Sequence, residues 1–196
     1  VKALAPVRTV EPANPILSTA DAKAHLKLDT SDEDDLVDAY VAAAAGYLDG
    51  ADGVLGLALV TQEWAQSFDS FPACDRLRLP LGPLQQVDEI SYFDPDGVEQ
   101  SFTAFRAVVD ATGPVVVLNE GASWPATANR PDAVTVTWTC GFGDDGLTLP
   151  TPILQAARLL IGDWHANREN TNVGNITGEL PFAVKALLQP WRKVRV

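Results

Sequence analysis

The apolar positions of this chain repeat with helical spacing near both ends and with a period of two in the middle. Val37, Val41, Ala44 and Leu48 fall at i, i+4, i+7 and i+11, which puts them on one face of a helix. The run "TSDEDDLVDAYVAAAAGYLDGADG" carries its own start and stop signals. Thr30 and Glu33 have capping-box spacing, Asp32, Glu33, Asp34 and Asp35 sit where a helix dipole favours negative charge, and Gly50 and Gly53 follow the last apolar position. A shorter helix is predicted over "STADAKAHLKLD", with Ser18 or Thr19 as N-cap and Ile16 and Leu17 placed to staple its entry. Near the other end, "PILQAARLLIGDWHANRE" puts Ile153, Ala156, Ala157, Leu160, Ile161 and Trp164 on one stripe, with Pro152 at the first helical position and the helix running to about Glu169.

Between Leu57 and Phe142 the alternation becomes strict. "LVTQEWAQSF" sets Val60, Gln62, Trp64, Gln66 and Phe68 against Leu59, Thr61, Glu63, Ala65 and Ser67. Neither side is cleanly apolar, which predicts an edge strand or a strand in contact with another subunit. "RLRLP" places Leu77 and Leu79 opposite Arg76 and Arg78. "VDEISYF" and "VEQSF" flank the turn sequence "DPDG", a hairpin signal, and "PVVVL" and "AVTVTWTCGF" are two further strands. A mostly antiparallel sheet of five or six strands follows.

The expected fold is therefore α+β. N-terminal and C-terminal helices form a bundle, the antiparallel sheet is inserted between them, and both ends are extended arms. Residues 1–17, with three prolines, read as an N-terminal arm. Residues 18–169 read as one domain, with helices in 18–53 and 152–169 and strands in 57–142. Residues 170–196 read as a polar loop, "NTNVGNITGE", and a tail. In the tail, Pro181 can start a helix, Val184, Leu187, Leu188 and Trp191 make a one-sided stripe, and Pro190 limits the helix to about two turns. So short a helix is marginal alone in water. It orders only against something else, either its own core or a partner.

Charge sharpens the question of what that is. The chain has 14 basic and 26 acidic side chains and a formal net charge of −12. The segment 180–196 runs against this balance, with Lys185, Arg192, Lys193 and Arg195 and no acid. An acidic body excludes a protein that grips nucleic-acid phosphates over a broad surface. It suits one that lets DNA pass without sticking. Two cysteines, Cys74 and Cys140, make no disulfide framework and are expected to be reduced. No secretory leader or membrane span is legible, so a cytoplasmic site of synthesis is expected.

Candidate chemistry is sparse. There is no CxxC, HExxH, calcium loop or phosphate-binding glycine loop, and no metal or cofactor is expected. Cys140, Asp163 and His165 could form a thiol–histidine–carboxylate set, which makes a small hydrolase the competing reading. Asp163 and His165, two residues apart on a helix, point to different faces, and a buried thiol at a strand end is ordinary. A monomeric β-rich binding module is the other alternative.

Several segments, in this order, carry a family likeness: "STADAKAHLKLD", "SDEDDLVDAYVAAAAGYLD", "LVTQEW", "LRLPLGPLQQVDEISYFDPDG", "WP" at 124–125, "VTVTWTCGFG", "LPTPILQAARLLIGDWHANRE" and "LPFAVKALLQPWR". Together they span nearly the whole chain. The sequence resembles the head–tail connector, or adaptor, proteins of tailed bacteriophages and gene transfer agents, of the HK97 gp6-like and phiE125 gp8-like kind. Trp191 stands where that family often has tyrosine, and His165 where an aromatic is common. The resemblance implies a non-enzymatic protein of a virion or virion-like neck. It implies a homo-oligomeric ring, usually of twelve copies, beneath the portal protein, extending the DNA channel and docking the stopper and tail. DNA would pass without specific binding, and no membrane is involved. On this reading Pro181, Phe182, Val184, Lys185, Leu187, Leu188, Trp191, Arg192, Lys193 and Arg195 are expected to bind the portal, with a neighbouring subunit as second choice. Asp34, Asp35, Asp38, Trp64, Arg158, Trp164 and Arg168 are expected at subunit contacts.

Overall fold

The computed structural model describes residues 1–168 and 182–193. The chain is α+β and divides into two compact units, residues 1–12 with 61–142 and residues 13–60 with 143–196.

The first unit is built from two antiparallel sheets. The larger has strand order β1-β2-β8-β4-β5, from β1 (Val7–Val10), β2 (Gln62–Phe68), β8 (Val134–Cys140), β4 (Leu84–Phe93) and β5 (Glu99–Ser101). The smaller has order β3-β7-β6, from β3 (Arg76–Arg78), β7 (Gly113–Leu118) and β6 (Phe105–Asp110). The "DPDG" hairpin forms as its turn chemistry demands. The Asp94 carboxylate accepts the backbone N–H groups of Asp96 (3.1 Å) and Val98 (3.0 Å), and Gly97 takes φ +80°.

The strand read as an edge is interior. β2 pairs along its whole length with β8, and on its other side with β1, supplied by the N-terminal stretch. That stretch is extended, as its prolines imply, but it is tied into the sheet. Leu4 N–H donates to Ser67 O at 2.8 Å, and Gln66 Nε2 donates to Leu4 O at 2.8 Å. The mixed face of β2 is its buried face, with Gln62, Trp64, Gln66 and Phe68 all inside. Two glutamines are tolerated there because they are hydrogen-bonded, Gln62 Oε1 accepting from Trp64 Nε1 at 3.0 Å. Trp64 also lies under the Arg8 guanidinium, 5.0 Å from its ring centre.

The second unit is helical: α1 (Thr19–Leu26), α2 (Asp34–Leu48), α3 (Thr151–Ala166) and α4 (Phe182–Leu188), with a 3₁₀ turn at Gln189–Trp191. The predicted stripes are the buried ones, Val37, Val41, Ala44 and Leu48 on α2 and Ile153, Ala156, Ala157, Leu160 and Ile161 on α3. Ser18 caps α1 by accepting from Asp21 N–H at 3.1 Å. The Thr30–Glu33 capping box does not form. Glu33 is itself the N-cap of α2, makes no side-chain cap bond, and is drawn instead to the end of α3. α3 ends at Ala166 rather than near Glu169, closed by Asn167 N–H donating to Asp163 O at 2.9 Å. Helix α3 packs against α1, α2 and α4.

Candidate functional site

The predicted partner-binding residues lie on α4 and the turn after it. Two of them are turned inward. Val184 and Leu188, one helical turn apart, are 0% and 4% exposed and pack within the helical unit. They are covered by the chain's own core. Leu187 and Trp191 are half-buried beside them. The turn after α4 is pinned as well, since Lys193 N–H donates to Leu55 O at 2.9 Å. Gly56, at φ +63°, lets the backbone run close to Lys193 there, and a Cβ at Gly56 would stand 3.6 Å from the Lys193 Cβ.

What faces outward is a mixed basic and apolar surface. Phe182 is 85% exposed at the start of α4, Lys185 is exposed on the same helix, and Arg192 and Lys193 are exposed after the turn that follows it. A phenylalanine so open, on a helix held by its other side, leaves apolar area with none of the described residues over it. Pro181 and Arg195 lie outside the described residues.

The expected subunit-contact residues scatter. Trp64 is 6% exposed and packs within the sheet of the first unit. In the helical unit, Asp34 pairs with Lys23 at 2.5 Å and Asp38 accepts from Thr19 Oγ1 at 2.5 Å. These contacts tie α1 to α2. Trp164 is half-buried, its ring 6.5 Å from that of Tyr40. Asp35 is exposed and Arg158 half-exposed.

Arg168 belongs to a group that sequence reading missed. Its Nη2 donates to Glu33 Oε1 at 2.6 Å, and His165 Nε2 lies 3.0 Å from Glu33 Oε2. No helical spacing signals this group, because Arg168 lies beyond the Asn167 cap of α3 and reaches Glu33 only through the chain's path after the helix. These two partners, Arg168 first, hold the Glu33 carboxyl below its ordinary value. The cluster clamps the end of α3 to the start of α2.

Nothing in this geometry supports the hydrolase reading. Cys140 is fully buried at the end of β8, the central strand of the larger sheet, and His165 Nε2 is occupied by Glu33 and Arg168. Among the described residues no three His, Cys, Asp or Glu side chains gather as metal ligands, and no helix is long and apolar enough to cross a membrane.

No protein-family model and no curated protein matches the sequence. Solved structures do. The chain is similar to one from the neck of an empty GTA particle with C6 symmetry, at 26% identity and TM-score 0.77, over 98% of this chain and 97% of that one. It is similar over the same shares to a chain of the virion of a native gene transfer agent particle, at 26% identity and TM-score 0.73. A chain from the neck of a native GTA particle with C12 symmetry shares the fold at 24% identity and TM-score 0.72.

Proposed function

We propose that this chain is a structural protein of the neck of a phage-like particle, an adaptor that assembles as a ring beneath the portal, extends the DNA channel and joins the portal to the stopper and tail. One observation carries the reading: the likeness to chains of gene transfer agent necks runs from end to end of both partners, at TM-scores up to 0.77. The symmetry of those particles favours many copies around an axis. The composition agrees. At a net charge of −12, a ring of such subunits offers DNA phosphates no counterion-release gain, so DNA slides through rather than binds.

The contact with the portal falls to the exposed residues of α4 and the turn after it: Phe182 as apolar anchor and Lys185 on the helix, with Arg192 and Lys193 beyond its far end, against an acidic protein surface. Val184 and Leu188 hold that surface in place from behind. The test is to mix the purified chain with the portal protein of the same particle and measure the mass of the product. A ring of many copies on the portal is expected. Removing residues 180–196 should abolish attachment, at some cost in stability to the helical unit because Val184 and Leu188 leave its core. No association of the intact chain with the portal would refute the adaptor reading. Normal attachment of the truncated chain would refute the role of the tail alone.

A further inference from the structure

The smaller sheet of the first unit ends on an open strand. Among the described residues, strand β6 pairs only with β7. The direction of its backbone groups follows from the ladder. Leu79 N–H donates to Pro114 O and Leu118 N–H to Asp75 O, so the even-numbered residues of β7 bond toward β3. The odd ones then bond toward β6, where they face its even-numbered residues, and Asn119 N–H donating to Ala104 O continues that series. Phe105, Ala107 and Val109 are left with N–H and C=O pointing away from the sheet. The flanking side chains are apolar and open, Val108 at 37% and Val109 at 66% exposure. Among the described residues the edge has no proline and no bulge; its two charged side chains are Arg106, which is exposed, and Asp110, which is held by Arg78 at 2.9 Å.

A groove of about 380 Å³ adjoins the start of the strand, lined by Asp88, Glu89, Ile90, Ser101, Phe102, Thr103 and Phe105. Its apolar wall is part of an aromatic cluster, with the Phe102 ring 5.1 Å from Trp124 and 6.4 Å from Phe105. Its polar wall carries two carboxylates whose hydrogen bonds come from neutral groups. Asp88 accepts from Gln86 and Thr139, and Glu89 accepts from Ser101 at 3.3 Å. Carboxylates beside aromatic faces suit a guanidinium or ammonium group. The same unit already stacks arginine on aromatic rings twice, Arg8 on Trp64 at 5.0 Å and Arg130 on Phe93 at 3.8 Å.

We infer that β6 and this groove together receive an extended segment of a partner protein, which adds a strand to the smaller sheet and places an arginine or lysine side chain between Asp88, Glu89 and the Phe102 ring. The main-chain bonds at Phe105, Ala107 and Val109 supply affinity, and the groove selects the cation. A net charge of −12 steers a basic segment toward this surface. The inference is independent of the ring reading.

The probe is the synthetic peptide acetyl-Thr-Val-Arg-Val-Thr-Val-amide, titrated by calorimetry into the full chain, with amide hydrogen exchange read in parallel. Saturable binding and slowed exchange at Ala107 and Val109 are expected, with no binding of the same peptide carrying glutamate for arginine. Val109→Pro removes only an outward N–H, so the hairpin should persist while binding is lost. Asp88→Asn with Glu89→Gln, two exposed and isosteric changes, should weaken the arginine peptide on the order of tenfold. Several outcomes would overturn the inference. These are no saturation by about 1 mM peptide, equal binding of the two peptides, or affinity unchanged in the carboxylate variant. A β6-to-β6 dimer trapped as a disulfide in Val109→Cys would also overturn it, since a second copy would then own the edge.

Discussion

Truncating Leu188 to alanine separates the two jobs of α4. Leu188 is 4% exposed and, with Val184 at 0%, is one of the two buried side chains of a seven-residue helix. A leucine removed from such a site costs about 2–5 kcal/mol, part transfer and part cavity. A helix this short has little stability apart from its docking, so the loss should appear first as local opening of α4 rather than as global unfolding. At the lower bound of about 2 kcal/mol, amide protection across Val184–Leu188 falls roughly thirtyfold. Native-state hydrogen exchange with mass spectrometric readout measures this directly. Phe182→Ala is the control: at 85% exposure it should change stability by no more than about 0.5 kcal/mol. On the proposed portal contact both variants should weaken attachment, Phe182→Ala by lost contact area with stability intact and Leu188→Ala through opening of α4. Unchanged exchange at Val184–Leu188 in Leu188→Ala would refute the docking argument. Strong destabilisation by Phe182→Ala would refute the outward assignment of that ring.

Trp64→Ala should destabilise the chain by about 3–5 kcal/mol in chemical denaturation, because Trp64 fills the larger sheet and bonds Gln62; a mere loss of association with stability intact would return it to an interface. Gly46→Ala, inside α2 where an added Cβ meets nothing within 4 Å, should raise the stability of the free chain by about 0.5–1 kcal/mol. The pH profile should carry the mark of Glu33. Its carboxyl is held below the ordinary 4.5 by Arg168 and His165, so it contributes stability that is fully present above about pH 4.5 and lost as pH falls through the lower folded-state value. Glu33→Gln should flatten the acid limb of denaturation midpoints measured from pH 6 downward, and an unchanged limb would count against the clamp.

Local pattern was enough to identify α2 and α3, the hairpin at Asp94–Gly97 and the α+β class, because helical spacing, dipole charge and turn residues act within a few positions. A likeness to neck proteins of phage-like particles was also legible in the order of weak segments, and the structural match to gene transfer agent necks supports that much. Three things were decided only by tertiary contact. β2 looked like an edge because two glutamines share its inner face, and only the arrival of β1 and the bonds to Trp64 and Leu4 make that face a core. Glu33 looked like a capping residue until α3 brought Arg168 and His165 to it, and charged hydrogen bonds displaced the weaker cap. The tail's apolar stripe was correct as a pattern but silent about its partner. Burial is non-directional, so sequence can say that Val184 and Leu188 must be covered; that their own helical unit covers them, and Phe182 stays outside, is fixed only by where α3 lies.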